Sequence, residues 1–236
     1  MATSSEAELI RQLERARALH EERAASPELA AALDRLALWQ SRRLNATYAD
    51  LAREPRYAGA IEFFQTDLYG PGDFSRRDAD LMRVVPLMVR ILPEGVIATI
   101  ADAMELSALS RELDRALLEK LKSAPLSVAT YCAAYRALAN HGARGRQIAL
   151  IVAVGRALDQ YVGKTLIRSA LAAMRQPARA AGFNALQGFL ERGFAAFRQM
   201  GGADEFLATV ETRETALMNA ILAGDRAPFS EPMGEA

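Results

Sequence analysis

The stretch SPELAAALDRLALWQSRRLNATYADL, residues 26–51, decides the fold class. Its leucines at 29, 33, 36 and 44 follow the spacing of one face of an α-helix. Ser26 before Pro27 is typical of a helix start, because a serine side chain can cap the first turn and proline is tolerated at the first helical position. We therefore predict a helix from Pro27 to about Leu51.

Similar patterns recur along the rest of the chain. They predict further helices over residues 5–24, 57–69, 75–92, 94–122, 127–140, 143–174, 178–200 and 204–222. We expect Pro86 to kink the helix that contains it, residues 107–110 to offer a break, and Asn140-His141-Gly142, Pro177 and Gly201-Gly202 to end helices. No stretch alternates with the period of a strand and no repeat recurs, so the prediction is an all-α fold, a compact bundle of about eight to nine helices.

The domain organisation follows from the absence of a linker. The chain has 236 residues, and no Gly/Pro/Ser-rich segment divides it. A chain of this length can bury a single core without disulfides. We predict one all-helical domain over residues 1–226 and a flexible C-terminal tail over residues 227–236.

The composition of the chain indicates its cellular compartment. The lone cysteine, Cys132, rules out an intrachain disulfide and a cysteine-based metal cluster within one chain. The charged N-terminus lacks the apolar region of a secretory signal, and no apolar run approaches the roughly 18 residues of a membrane span. We expect a cytoplasmic protein without a membrane contact and an inert, buried Cys132 thiol.

Several standard active sites are excluded. A diiron bundle needs Glu-x-x-His pairs, whereas Arg17 and Leu138 stand three residues before the two histidines, His20 and His141. Zinc motifs, Walker loops and nucleophile elbows are also missing. A single imidazole could hold haem, but His141 in an Asn-His-Gly turn is interpreted as structural. We predict no metal and no cofactor.

The densest polar segment surrounds Gly70-Pro71-Gly72. Its candidate site residues are Glu62, Asp67, Tyr69, Asp73, Arg76, Arg77 and Asp78. They could form an acid and arginine site at a helix start, where backbone N–H groups favour an anion. Ser75 and Asp78 also match a capping box, and capping alone explains their spacing, so we prefer the structural interpretation.

A second candidate is a basic stripe beginning in the loop before residue 143. Residues 142–200 hold nine Arg or Lys residues against two Asp or Glu residues, although the net charge of the chain is zero. The candidate anion-binding residues are His141, Arg144, Arg146, Lys164 and Arg168. On one continuous helix, Arg146, Lys164, Arg168 and Arg175 would share a face. We expect this face to pair with the acidic residues of the last helix, Asp204, Glu205, Glu211 and Glu214; the alternative is binding of phosphate or nucleic acid.

The segment IEFFQTDLYGPGDFSRRDADLMRVVPLMVRILP, residues 61–93, resembles the FFLEELY-motif family, a group of bacterial proteins of unknown function. Phe63, Phe64, Leu68 and Tyr69 match the motif, whereas Gln65, Thr66 and Asp67 depart from its Leu-Glu-Glu. Residues 186–214 are similar to the same family. The resemblance implies a shared fold and supplies no reaction.

The preferred functional hypothesis is a non-enzymatic helical binding or regulatory module. It would act through a partner protein, a second copy of the chain or an anionic ligand. The alternatives are an enzyme with an acid and arginine site around Asp67–Asp80, and phosphate or nucleic-acid binding through the basic stripe of residues 144–175. Nucleic acid is the least favoured partner.

Overall fold

The computed structural model describes residues 4–68, 79–85, 92–122 and 124–232. Within these ranges all regular structure is helical and no residue lies in a strand. The predicted all-α fold is confirmed.

The helices are more numerous than predicted. They are α1 (Ser4–Ala25), α2 (Pro27–Thr47), α3 (Ala49–Ala52), α4 (Pro55–Phe63), which continues into a π-helical turn (Phe64–Leu68), α5 (residues 79–85), α6 (Glu94–Leu121), α7 (Val128–Leu138), α8 (His141–Val162), α9 (Thr165–Ala173), α10 (Arg175–Ala180), α11 (Asn184–Met200) and α12 (Asp204–Ala223).

Two of the predicted helix signals act as expected. The Ser26 side chain caps α2 by accepting a hydrogen bond from the Leu29 backbone N–H at 3.2 Å. Gly201 ends α11 in the left-handed region, with φ of 64°. Both effects are local, because the Ser26 side chain and the missing Cβ of Gly201 act on the backbone next to them.

Three predicted helices are divided, which explains the higher count. Helix α2 ends at Thr47, because Tyr48 (φ −113°, ψ 19°) leaves the helical conformation while its ring is buried. The predicted helix 143–174 ends at Val162, and Lys164 is extended, with ψ of 111°. The predicted helix 178–200 is interrupted at Gly182, whose φ of 80° favours glycine.

Other helix ends also differ from the prediction. The expected break at residues 107–110 is absent, since α6 is continuous. Helix α7 ends at Leu138 with Ala139 in the left-handed region, so His141 begins α8 and does not end α7. Pro177 lies inside the first turn of α10, where its missing N–H breaks no helical hydrogen bond. The predicted kink at Pro86 and the cap at Ser75 and Asp78 lie outside the described residues.

Helix α8 occupies the centre of the packing. It contacts α6 on one side and α12 on another, and it also contacts α11. Helix α6 packs against α1, α2 and α7, while α11 packs against α4. The arrangement encloses the space between α2, α7, α8 and α12, which contains the candidate site described below.

The C-terminal residues 227–232 run back over this part of the bundle. The Phe229 ring lies 6.0 Å from the Trp39 ring and 6.3 Å from the Tyr131 ring, between centroids. Glu231 accepts a hydrogen bond from the Val128 backbone N–H at 2.8 Å, at the start of α7. The division into a domain of residues 1–226 and a flexible tail stays a prediction.

We predict that Gly155→Ala destabilises the fold, because α8 and α12 approach closely there. A Cβ at Gly155 would lie 2.5 Å from a Cδ of Leu207, which is fully buried and cannot move away freely. Overpacking of this kind costs about 1–3 kcal/mol. Urea unfolding measures the change.

The matched control is Gly145→Ala on the same helix. Its added Cβ would meet no atom within 4 Å. Alanine is the better helix former, so we expect a neutral effect or a gain of up to about 1 kcal/mol. Equal effects of the two substitutions would contradict the close approach.

Candidate functional site

The predicted polar segment around Gly70-Pro71-Gly72 is described only at its first residues. Glu62 is exposed on α4, whereas Asp67 is 9% exposed in the π-helical turn. Asp67 Oδ1 lies 2.5 Å from Arg192 Nη2 of α11. Tyr69, Asp73, Arg76, Arg77 and Asp78 lie outside the described residues, so the enzyme site around Asp67–Asp80 stays a prediction.

The predicted basic stripe is not one face of one helix. His141 is exposed at the start of α8. Arg146 pairs with Glu105 of α6 at 2.6 Å. Lys164 lies between α8 and α9, with Nζ 5.4 Å from the centre of the Tyr161 ring. Arg168 is exposed on α9 and donates to the Thr165 hydroxyl.

The predicted pairing of these cations with the last helix is wrong. Arg146 and Arg175 pair instead with acids of α6 and α11. Glu205 of α12 accepts a hydrogen bond from the Tyr57 hydroxyl at 2.8 Å and pairs with Arg56. Glu214 points into the bundle interior, as described below.

Arg144 differs from the other predicted anion-binding residues because it is buried. It is 7% exposed, and its guanidinium carbon lies 4.6 Å from the centre of the Tyr135 ring. Nη1 donates to Gln147 Oε1 at 3.1 Å, which orients the guanidinium group. Nη2 is buried and has no hydrogen-bond partner among the described residues.

A cavity of about 100 Å³ adjoins Arg144, between α2, α7, α8 and α12. Its polar lining side chains are Gln40, Arg43, Tyr48, Tyr131, Tyr135, Arg144, Gln147 and Glu214. Its apolar lining includes Phe64 of the π-helical turn, Ile148 and Ile151 of α8, and Phe206 of α12. A few polar groups in an otherwise apolar concavity are typical of a small-molecule site.

An ion pair forms one wall of this cavity. Arg43 Nη1 donates to Glu214 Oε1 at 2.7 Å, and the Tyr48 hydroxyl donates to the same oxygen at 2.9 Å. The two charged side chains are only 11% and 15% exposed. Burial acts to lower the pKa of Arg43, but the charge of Glu214 outweighs burial and raises the pKa above its usual value. Arg43 is therefore a fixed, fully paired cation.

The tyrosines of the cavity remain neutral. Burial raises the pKa of Tyr48, Tyr131 and Tyr135 above the usual value of a phenol. In the described part of the chain, the hydroxyls of Tyr131 and Tyr135 have no hydrogen-bond partner. Both hydroxyls can therefore donate to a molecule in the cavity.

The charges that line the cavity do not balance. Arg43 and Arg144 are positive, and Glu214 is the single carboxylate of the lining. Asp114 lies behind the lining residue Gln40, whose Nε2 donates to it at 2.8 Å; burial raises the pKa of Asp114, although the charge of Arg144 acts to lower it. Among the described residues, no carboxylate forms an ion pair with Arg144. Arg144 is thus a cation of the lining without a carboxylate at ion-pair distance.

Arg43, Glu214 and the three tyrosines were not among the predicted site residues. The positions of Arg43 and Glu214 on otherwise apolar helix faces could have identified them from the sequence. Arg43 stands seven residues after Leu36, and Glu214 stands midway between Val210 and Met218. A charged residue at such a position enters the interior and needs a partner there.

The geometry defines a class of protein, an all-α bundle with a polar cavity and an unpartnered buried arginine. The chain belongs to the family described as Domain of unknown function (DUF8198), which it matches over residues 19–228. No curated protein and no solved structure matches it. Its function is unknown, in line with the resemblance, whereas the FFLEELY name itself is not confirmed.

Two structural features are absent from the described residues. Among these residues, no helix combines the length and apolar character needed to cross a membrane. No cluster of three or more His, Cys, Asp or Glu residues in the same ranges could hold a metal ion.

We predict that Glu214→Gln destabilises the chain strongly. The substitution leaves Arg43 buried without a counterion, and breaking a buried ion pair in this way costs about 3–5 kcal/mol. Denaturant unfolding with detection by circular dichroism measures the loss.

Glu211→Gln is the control for this experiment. Glu211 is exposed on the same helix, so its substitution should change stability by no more than about 0.5 kcal/mol. A small effect of Glu214→Gln, similar to that of the control, would refute the assigned role of the ion pair.

Proposed function

We propose that the protein is a binding module that takes a compact monocarboxylate into the cavity between α2, α7, α8 and α12. The observation that carries the proposal is Arg144, a buried arginine of the cavity lining that has no ion-pair partner in the described part of the chain and whose Nη2 has no hydrogen-bond partner there. A buried cation without an ion-pair partner is costly, and a carboxylate bound in the cavity would balance its charge.

The groups around Arg144 suit a carboxylate. The guanidinium fork matches the two oxygens of a carboxylate, and the hydrogen bond to Gln147 holds the fork in place. The Tyr135 ring stabilises the cation from one face. The hydroxyls of Tyr131 and Tyr135 supply further donors without a negative charge.

The remainder of the cavity sets the size and charge of the ligand. Its volume of about 100 Å³ is smaller than the roughly 150 Å³ cavity that takes benzene, so the ligand is small. Glu214 lines the same space and repels a second carboxylate, which favours a monoanion. The apolar lining favours a hydrocarbon end.

Four sequence-based expectations stand beside this proposal. Residues 1–226 would act as one domain, and the family would be the bacterial FFLEELY-motif group, on the residues quoted above. Cytoplasmic location fits the single, buried and unpaired Cys132, because a reducing compartment keeps thiols free. The proposal for the cavity corresponds to the expected binding module with an anionic ligand.

The test uses sodium butyrate as the probe and Arg144→Met as the variant. We expect butyrate to raise the unfolding temperature of the wild type in a dose-dependent way, whereas butanol and butylamine leave it unchanged. Methionine removes the unpaired charge and keeps the apolar volume, so Arg144→Met should be as stable as the wild type or up to about 2 kcal/mol more stable. Its unfolding temperature should not respond to butyrate.

Two controls separate specific binding from salt effects. Sodium chloride at the same concentration reports the effect of ionic strength, and Arg156→Met removes an exposed arginine from the same helix. Arg156→Met should keep the response to butyrate. An equal response of Arg144→Met and wild type, or no response of the wild type to any short monocarboxylate, would rule out the proposal.

A further inference from the structure

A second concavity, of about 400 Å³, lies on the surface between α9 and α11, at the start of α10. Its apolar lining residues, which we call the floor, are Leu171 and Ala172 of α9 and Phe194 and Ala195 of α11. Arginines also line it, and we call the whole surface the α9/α11 groove. It is separate from the cavity that contains Arg144.

The two walls of the groove have similar compositions. Helix α9 contributes Arg168, Leu171 and Ala172, Arg175 at the start of α10 follows them, and α11 contributes Glu191, Phe194, Ala195 and Arg198. The α11 residues have the spacing i, i+3, i+4, i+7 of one helix face. Each wall of the groove therefore has an apolar centre between charged ends.

Part of the charge in the groove is already paired. Arg175 lies 2.8 Å from Glu191 Oε1, which also accepts a hydrogen bond from Gln187. Arg192 pairs with Asp67 of the π-helical turn. These contacts fix the groove and leave Arg168 and Arg198 as its available cations.

Arg168 and Arg198 have no carboxylate partner in the described ranges. Arg168 donates to the Thr165 hydroxyl, and Arg198 is exposed on α11. Ala172 and Ala195 of the floor are exposed, and Leu171 and Phe194 are half-buried. The groove thus combines an excess of positive charge with exposed apolar surface.

We propose that the α9/α11 groove binds an acidic amphipathic helix of a partner protein. Leucine-sized side chains of such a helix fit the apolar floor, and Ala172 and Ala195 allow its backbone to approach. Arginine beside an apolar centre is also typical of protein interfaces.

The apolar floor disfavours nucleic acid as the occupant. A phosphate backbone is recognised by cations and hydrogen-bond donors, and it gains little from leucine and alanine side chains. An acidic amphipathic helix can contact both the arginines and the apolar floor of the groove. The charge is complementary at the rim, and the apolar faces are buried at the centre.

The test measures fluorescence anisotropy with labelled peptides of about 18 residues, the length of a helix-in-groove ligand. The probe peptide carries leucines at i, i+3, i+4 and i+7 with glutamates beside them. A scrambled peptide has the same composition without an apolar face, and a third peptide has lysine in place of glutamate. A single-stranded oligonucleotide tests nucleic acid.

The groove variant is Arg168→Glu with Arg198→Glu, and the control is Arg35→Glu with Arg53→Glu, two exposed arginines outside the groove. We expect the acidic amphipathic peptide to bind the wild type and the control equally, and the groove variant at least about tenfold more weakly. The groove variant should bind the lysine peptide more tightly than the wild type does. Arg168→Gln with Arg198→Gln repeats the test if charge reversal disturbs folding.

Three results would overturn the proposal. One is equal binding of the scrambled and amphipathic peptides, which would mean attraction by charge alone. Another is unchanged peptide binding by both groove variants. The third is binding of the oligonucleotide, lost in the groove variants, without binding of the acidic peptide.

Discussion

The ion pair between Arg43 and Glu214 is the interaction on which the arrangement of the bundle depends. The two residues are 171 positions apart, and each would be a costly unpaired charge if α2 and α12 did not meet. Tyr48 completes the same contact, and it can do so because it leaves the helical conformation at the end of α2. A buried pair of this kind adds little net stability over apolar residues, but it penalises every packing that separates its partners. The position of α12 against α2 is therefore specified by charge as well as by shape.

Arg144 gives the same region a second cation, which forms no ion pair with the described residues. Helix α8 brings it beside Tyr135, at the edge of the space enclosed by the ion pair. The hydroxyls around it are neutral because burial raises the pKa of the tyrosines. A cavity with apolar walls and an unpaired cation is electrostatically incomplete, and sites that keep such a destabilising group are typically functional. The imbalance of charge, more than the volume of the cavity, is what distinguishes this space from a packing defect.

The sequence predicts the helices better than their breaks, and the breaks determine where the site residues lie. Ser26 and Gly201 act through their own chemistry, so their effects are visible in a short stretch of sequence. Tyr48 carries no such signal, since its partner in the structure is Glu214 of α12, which is far away in the sequence. The prediction of a basic stripe on one helix face is wrong for a related reason. A helical projection holds only while the helix is continuous, and the end of α8 at Val162 separates Arg146 from Arg168. Arg144 is the one predicted anion-binding residue that lines the cavity, although the sequence predicted it in a loop at the start of a helix. It lies on the same face of α8 as Ile148 and Ile151, and this face is directed into the bundle.

The π-helical turn Phe64–Leu68 connects the cavity with the α9/α11 groove. Phe64 lines the cavity and its ring lies 5.9 Å from that of Phe206, while Asp67 accepts the guanidinium of Arg192, whose side chain also lines the groove. The next residue, Gly193, lets α11 approach α4 so closely that a Cβ there would lie 2.9 Å from Phe63. Arg192 and Gly193, two consecutive residues of α11, thus contact the π-helical turn and the end of α4, respectively. A π-helical turn inserts an extra residue and so shifts the side chains that follow it around the helix axis; Phe64, its first residue, lines the cavity. The ion pair between Arg192 and Asp67 and the backbone of the turn therefore join the groove to the cavity wall that Phe64 forms.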